Sequence, residues 1–201
     1  MIIIVDYDLG NLGSVFNMLK YLNIKSQITS DKNKIWKADK LILSGVGSFD
    51  NGIQNLISLG LKDILQEKVL NRKTPVLGIC LGMQLMGNRS DEGNEIGLGW
   101  IDAVTERFDS KNLPVPHMMW NYVKVVSDSK LLLNLDLDAR FYFAHSYFLK
   151  CNNPDIVVAL TAYGNEFVSV IEQENILGVQ FHPEKSHKYG MKLLSNFASE
   201  Y

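Results

Sequence analysis

A chain of 201 residues carrying 20 lysines and arginines against 22 aspartates and glutamates, formal charge -2, lacks the basic excess or stripe that nucleic-acid binders usually show. With 46% hydrophobic and 21% charged residues it has the balance of one ordinary globular domain with a full core, and no apolar run is long enough to cross a bilayer. Two cysteines allow at most one bridge, four histidines show no zinc spacing, and no secretory signal is evident, so the expectation is a cytoplasmic protein with no metal and no membrane contact.

Residues 2–6 form a short apolar run, too short for a signal or membrane helix, and predict a first strand. Leu12, Val15, Phe16, Leu19 and Leu22 recur at helical spacing. Residues 24–29 predict a second strand and 40–43 a third, running into SGVGSF. Ile53, Leu56, Ile57, Leu61, Ile64 and Leu65 mark helix, with an interruption expected at Gly60. Residues 76–79 predict the next strand, and a helix follows Cys80. This alternation predicts an α/β fold with a parallel sheet. The second half changes character: strands are expected over 101–104, 123–126, 141–144, 156–160, 167–171 and 177–180, some antiparallel at the edge of a mixed sheet. A closing helix is expected over 187–197. No repeat or linker breaks the chain, so 1–201 reads as a single domain.

The densest chemistry lies in PVLGICLGMQLM, residues 75–86. Glycines 78 and 82 flank a cysteine at a strand-to-helix joint, which leaves room for a sharp turn presenting the sulfur near free backbone N–H groups. A buried apolar cysteine fits that stretch equally well. The second stretch is LGVQFHPEKS, residues 177–186. If it stays extended, His182 and Glu184 share one side, so that the carboxylate orients the imidazole and the imidazole serves Cys80 as base. Taken alone, His182 and Glu184 also read as surface residues. Cys151, in a polar and turn-like context, is a poor rival nucleophile. His145, ending an aromatic strand, suits a site-lining or packing role. The glycines of LSGVGSF, residues 43–49, allow close approach to a ligand, so that backbone N–H groups there and at Leu81 would hold an oxyanion; a plain turn is the alternative. LGNLG and GVGSF are too loose for a nucleotide fingerprint.

GICLGMQLM and GVQFHPEKS resemble the two most specific signatures of class I (triad) glutamine amidotransferases. With VDYDLGNLGSV, GVGSFDNGI, RSDEGNEIGLGWI, PHMMWN and YFAHSY, essentially the whole chain resembles the glutaminase subunits of imidazole glycerol phosphate synthase. The resemblance implies a flavodoxin-like mixed sheet flanked by helices. It implies hydrolysis of L-glutamine to glutamate and ammonia without a cofactor, and a heterodimer with a (β/α)8 cyclase subunit that receives the ammonia in histidine biosynthesis. By motif it implies Cys80 as nucleophile, His182 as base and Glu184 as third member. Val46 and Leu81 would form the oxyanion hole. Gly45, Gly47, Gln84, Ser146 and Tyr147 would lie near bound glutamine, and Asn11, Trp120 and Lys185 would face the partner. The chain departs from the family pattern at Ser44 (usually Pro), Met119 (usually Gly) and Asp8 (usually Gly). These departures bear on the partner, and a paralogous role, supplying a cyclase-like subunit that makes amidino sugars for surface polysaccharides, is the alternative.

Overall fold

The computed structural model describes residues 1–109, 111, 113–136 and 138–201. In the first half strands and helices alternate: β1 (Ile2–Val5), α1 (Leu12–Tyr21), β2 (Ser26–Thr29), α2 (Lys32–Trp36), β3 (Lys40–Gly45), α3 (Phe49–Ser58), α4 (Lys62–Gln66), β4 (Val76–Cys80) and α5 (Leu81–Leu85). The second half is mostly strand: β5 (Arg89–Ser90), β6 (Ala103–Arg107), β7 (His117–Tyr122), β8 (Lys124–Val125), β9 (Arg140–His145), β10 (Tyr147–Cys151), β11 (Val157–Tyr163), β12 (Asn165–Gln173) and β13 (Ile176–Val179), closed by α6 (His187–Glu200).

The main sheet runs β2-β1-β3-β4-β13-β12-β10-β6-β5, with β11 pairing β12 and β8. From β2 to β13 every neighbour is parallel; β12 and β10 then run antiparallel. The opening order β2-β1-β3-β4 is that of flavodoxin-like sheets. β7 and β9 form a separate antiparallel pair. The inner parallel strands β1, β3, β4 and β13 are buried on both faces, so they read as continuous apolar runs, yet their residues still alternate between two cores. Ile2, Ile4, Ile42, Leu77 and Ile79 join α1 and α6. Ile3, Val5, Leu41, Leu43 and Val76 join the side covered by α2 to α5.

Local signals behave as expected at most joints. Asn11 caps α1 through its side-chain oxygen, which accepts from Ser14 N–H at 3.4 Å. Gly60, at φ 62°, ends α3: its N–H bonds Ile57 O and that of Leu61 bonds Leu56 O, the paired bonds of a Schellman cap. The structure adds α2, β5, β7 and β10 to the expected elements and continues α4 into a π-turn at Glu67–Asn71. One expectation is corrected: the segment around Cys151 is not a turn but the end of β10, paired along its length with β6.

Candidate active site

Cys80 stands at the carboxyl end of central strand β4, where open α/β sheets place ligands. Its backbone is left-handed, φ 53° and ψ −109°, the strained turn of a nucleophile elbow. The turn is possible because α5 lies almost against β3. A Cβ on Gly82 would sit 1.6 Å from Leu43 O, so only glycine fits. Gly45 pairs with Cys80 across β3 and β4, which brings the glycine strand beside the sulfur.

His182 follows β13, the neighbour of β4 on the other side. Its Nδ1 lies 2.8 Å from Glu184 Oε1, and both side chains are only 2% exposed. The closeness does not come from an extended chain. Pro183–Lys185 is a single 3₁₀ turn, started by the fixed φ of Pro183. The Ser186 hydroxyl fastens the turn by donating to His182 O at 2.6 Å, and it accepts from Tyr142 N–H at 3.0 Å. His182 N–H in turn bonds Tyr142 O. Burial works against a charge on His182, but hydrogen bonds to Cys80 and Glu184, and their negative charge, outweigh it and raise its pKa to about 10. Thiol, imidazole and carboxylate are therefore joined in series, with the imidazolium favoured. Such a set transfers a proton out of and back into a reaction at sulfur.

A cleft of about 190 Å³ opens over the sulfur, lined among others by Val46, Gly47, Cys80, Leu81, Gln84, Ser146 and Tyr147. All the residues expected there meet in it except Gly45, which lies just behind, against the Tyr7 hydroxyl. Larger hollows exist, such as one of about 720 Å³ between Tyr122 and Glu166, but they hold no comparable chemistry. The three residues expected to face a partner stand at the surface: Asn11 and Lys185 are exposed, and Trp120 stacks on His187 at 5.4 Å. Met118, Met119, Trp120 and Tyr122 make the β7 edge an exposed apolar stripe.

Three groups in and behind the cleft escaped the sequence reading. Glu92 lines it and accepts Phe49 N–H at 2.8 Å; burial raises its pKa, that bond lowers it, and Asp50 adds to the rise. Glu92 lies in RSDEGNEIGLGWI, where the pattern does not single out this carboxylate from Asp91 and Glu95. His117, against which His145 packs at 3.1 Å, was likewise unmarked; burial pushes the pair down to about 4 and about 3, so both are neutral at physiological pH. Gln180 sends its amide to the Cys80 sulfur, 3.6 Å from Sγ. Its signal was its place two residues before His182 in a buried strand. Cys151, the rival thiol, is held up at about 12 by burial and by Asp102, which disfavours its thiolate.

The model of the "Glutamine amidotransferase class-I" family matches residues 3–201. The chain belongs to the class-I glutamine amidotransferase family. It is 53% identical to "Imidazole glycerol phosphate synthase subunit HisH 2" of Methanococcus maripaludis, over 100% of both chains. It is 46% identical to the protein of the same name from Pseudomonas aeruginosa, over 98% of each. Among solved structures, a glutamine amidotransferase superposes with TM-score 0.77 at 18% identity, covering 97% of this chain and 96% of that one. The glutaminase domain of Trypanosoma brucei CTPS, solved with bound acivicin, gives 0.69 at 17% identity over 98% and 93%. At such identities the likeness to these amidotransferases is one of fold.

Proposed function

We propose that this chain, acting as one domain, is the glutaminase subunit of imidazole glycerol phosphate synthase and supplies ammonia to a (β/α)8 cyclase partner in histidine biosynthesis. The observation that carries the chemistry is the buried series Cys80, His182, Glu184 behind a cleft. The full-length relatives carry the choice of pathway.

Cys80, as thiolate, attacks the side-chain amide carbon of glutamine. The negative charge that develops on oxygen is taken by backbone N–H groups of Val46 and Leu81. The His182 imidazolium gives its proton to the departing nitrogen, the C–N bond breaks, and ammonia leaves a glutamyl thioester. Neutral His182 then takes a proton from water as its oxygen attacks the thioester carbon. The C–S bond breaks, its electron pair returns to sulfur, and glutamate departs. Glu184 touches no substrate; it keeps the proton on Nδ1 and leaves the other imidazole nitrogen for the reaction. Gln84, Ser146, Tyr147 and the Gly45 and Gly47 backbone shape the substrate cleft. Asn11, Trp120 and Lys185 lie on the partner's side.

The test is Cys80→Ala in complex with the cyclase. Glutamine-dependent product should vanish while product from added ammonium salt persists; glutamine turnover by the purified variant overturns the assignment. A second reading of the partner, a cyclase-like subunit making amidino sugars for surface polysaccharides, is favoured by Met119, which stands exposed beside Trp120 where the family usually has glycine. Mixing the chain with each barrel and measuring ammonia transfer to its acceptor decides between the two.

A further inference from the structure

The fully buried side chain of Gln180 is anchored at both ends. Its backbone N–H bonds Ser169 O at 2.9 Å. Its side-chain orientation follows from a chain of donors. Tyr147 O is a carbonyl and only accepts, so the amide that Gln84 presents to it at 3.0 Å must be the NH₂. The second hydrogen of that NH₂ reaches Gln180 Oε1 at 3.1 Å. Gln180 therefore points its own NH₂ the other way, at Cys80 Sγ, 3.6 Å off. The same Tyr147 carbonyl accepts from His145 Nδ1 at 2.7 Å, which fixes that proton and makes His145 Nε2 an acceptor for His117 Nδ1. Asn121 Nδ2 closes the line on His117 Nε2 at 3.2 Å. Two runs of donors thus converge on the Tyr147 carbonyl, one from β7 through His117 and His145 and one from Gln84, and Gln84 also donates to the residue that faces the sulfur.

The geometry points to Gln180 as a further catalytic residue: an N–H donor to the sulfur, aimed by Gln84, that stabilises the thiolate as it leaves the thioester. This rests on the glutaminase reading above. A thiolate accepts a hydrogen bond far better than a thioester sulfur, because the charge is on the acceptor. The donor therefore strengthens as water's oxygen bonds to the thioester carbon, the C–S bond breaks and the electron pair moves to Sγ. In the first half-reaction the thiolate is the reactant, so the same donor gives no acceleration there. Removing it should slow the second step selectively.

The variants are Gln180→Met, of similar length without a donor, and Gln180→Leu, likewise uncharged and without a donor. Each is compared with the unaltered chain in complex with the cyclase. Steady-state glutamine turnover is measured, and the glutamyl thioester is read by intact-protein mass spectrometry after acid quench. We expect kcat to fall about tenfold or more, the scale of one hydrogen bond to a charged group. KM should fall with it and the thioester fraction should rise, as a slowed second step requires. A structural fault would lower kcat or stability without trapping thioester. If either variant, folded by thermal melt, turns over glutamine with no thioester build-up and unchanged KM, Gln180 has no such role. Failure of the unaltered complex to hydrolyse glutamine would instead reject the glutaminase reading.

Discussion

Replacing Glu184 with glutamine isolates what the third member contributes. The imidazole Nδ1 lies 2.8 Å from Oε1, and both side chains are shielded from water. A hydrogen bond to a charged partner is worth about 1.5–3 kcal/mol, which corresponds to roughly 10- to 150-fold in rate. In serine proteases the equivalent amide costs about 10⁴-fold because neighbours lock it in the orientation that forces the wrong tautomer. Here Glu184 Oε2 has no hydrogen-bond partner among the described residues. No described residue holds a glutamine there the wrong way round, so Oε1 stays on Nδ1 and only the charge is lost. Glu184→Gln in the complex should therefore lower kcat for glutamine by roughly 10- to 150-fold, with KM little changed. Glutamate release measured over a substrate series checks this. A loss as complete as that of Cys80→Ala would refute the reasoning, since it would mean a tautomer switch or a direct role. The carboxylate also helps to raise His182 from 6.5 to about 10. A raised pKa contributes stability that is complete below the unfolded value and lost as pH rises through the folded one. The melting temperature of Glu184→Gln should fall furthest behind the unaltered chain near pH 6, about where histidine titrates when unfolded, and the gap should narrow toward pH 10.

Gly45→Ala puts a Cβ 1.9 Å from the Tyr7 hydroxyl oxygen and 3.1 Å from its ring carbon. Overpacking of this kind costs about 1–3 kcal/mol, and adding Tyr7→Phe should recover part of it; purely additive denaturation free energies in the double-mutant cycle would disprove the contact. Trp120→Ala should leave the melting temperature nearly unchanged and weaken cyclase binding by about 30-fold, as for a central aromatic anchor; unchanged affinity by calorimetry removes Trp120 from the interface. Cys151, with its thiol held up at about 12, should resist iodoacetamide at neutral pH while Cys80 is modified, which peptide mapping reads directly.

The apolar runs at 2–5, 40–45 and 76–80 declare themselves as buried strands because both faces of a parallel sheet exclude water, and the helical spacing of Leu12, Val15 and Leu19 declares α1. The elbow around Cys80 was half legible: glycines at 78 and 82 allow a sharp turn, but the contact that demands Gly82, with Leu43 O on β3, comes from a distant stretch. β7 was not: Met118, Met119, Trp120 and Tyr122 face outward, so PHMMWN carries no burial pattern. Nor could local pattern say that His182–Lys185 turns rather than extends, because the turn is held by Tyr142 from another strand. Residue types and their local pattern thus mark the reactive candidates and the segments that must be buried. Folding alone brings Gln180, Gln84 and Tyr147, from three stretches of chain, into the arrangement that aims one N–H at the Cys80 sulfur. Hydrogen-bond direction depends on what lies across the gap in space, and spacing along the chain carries no record of it.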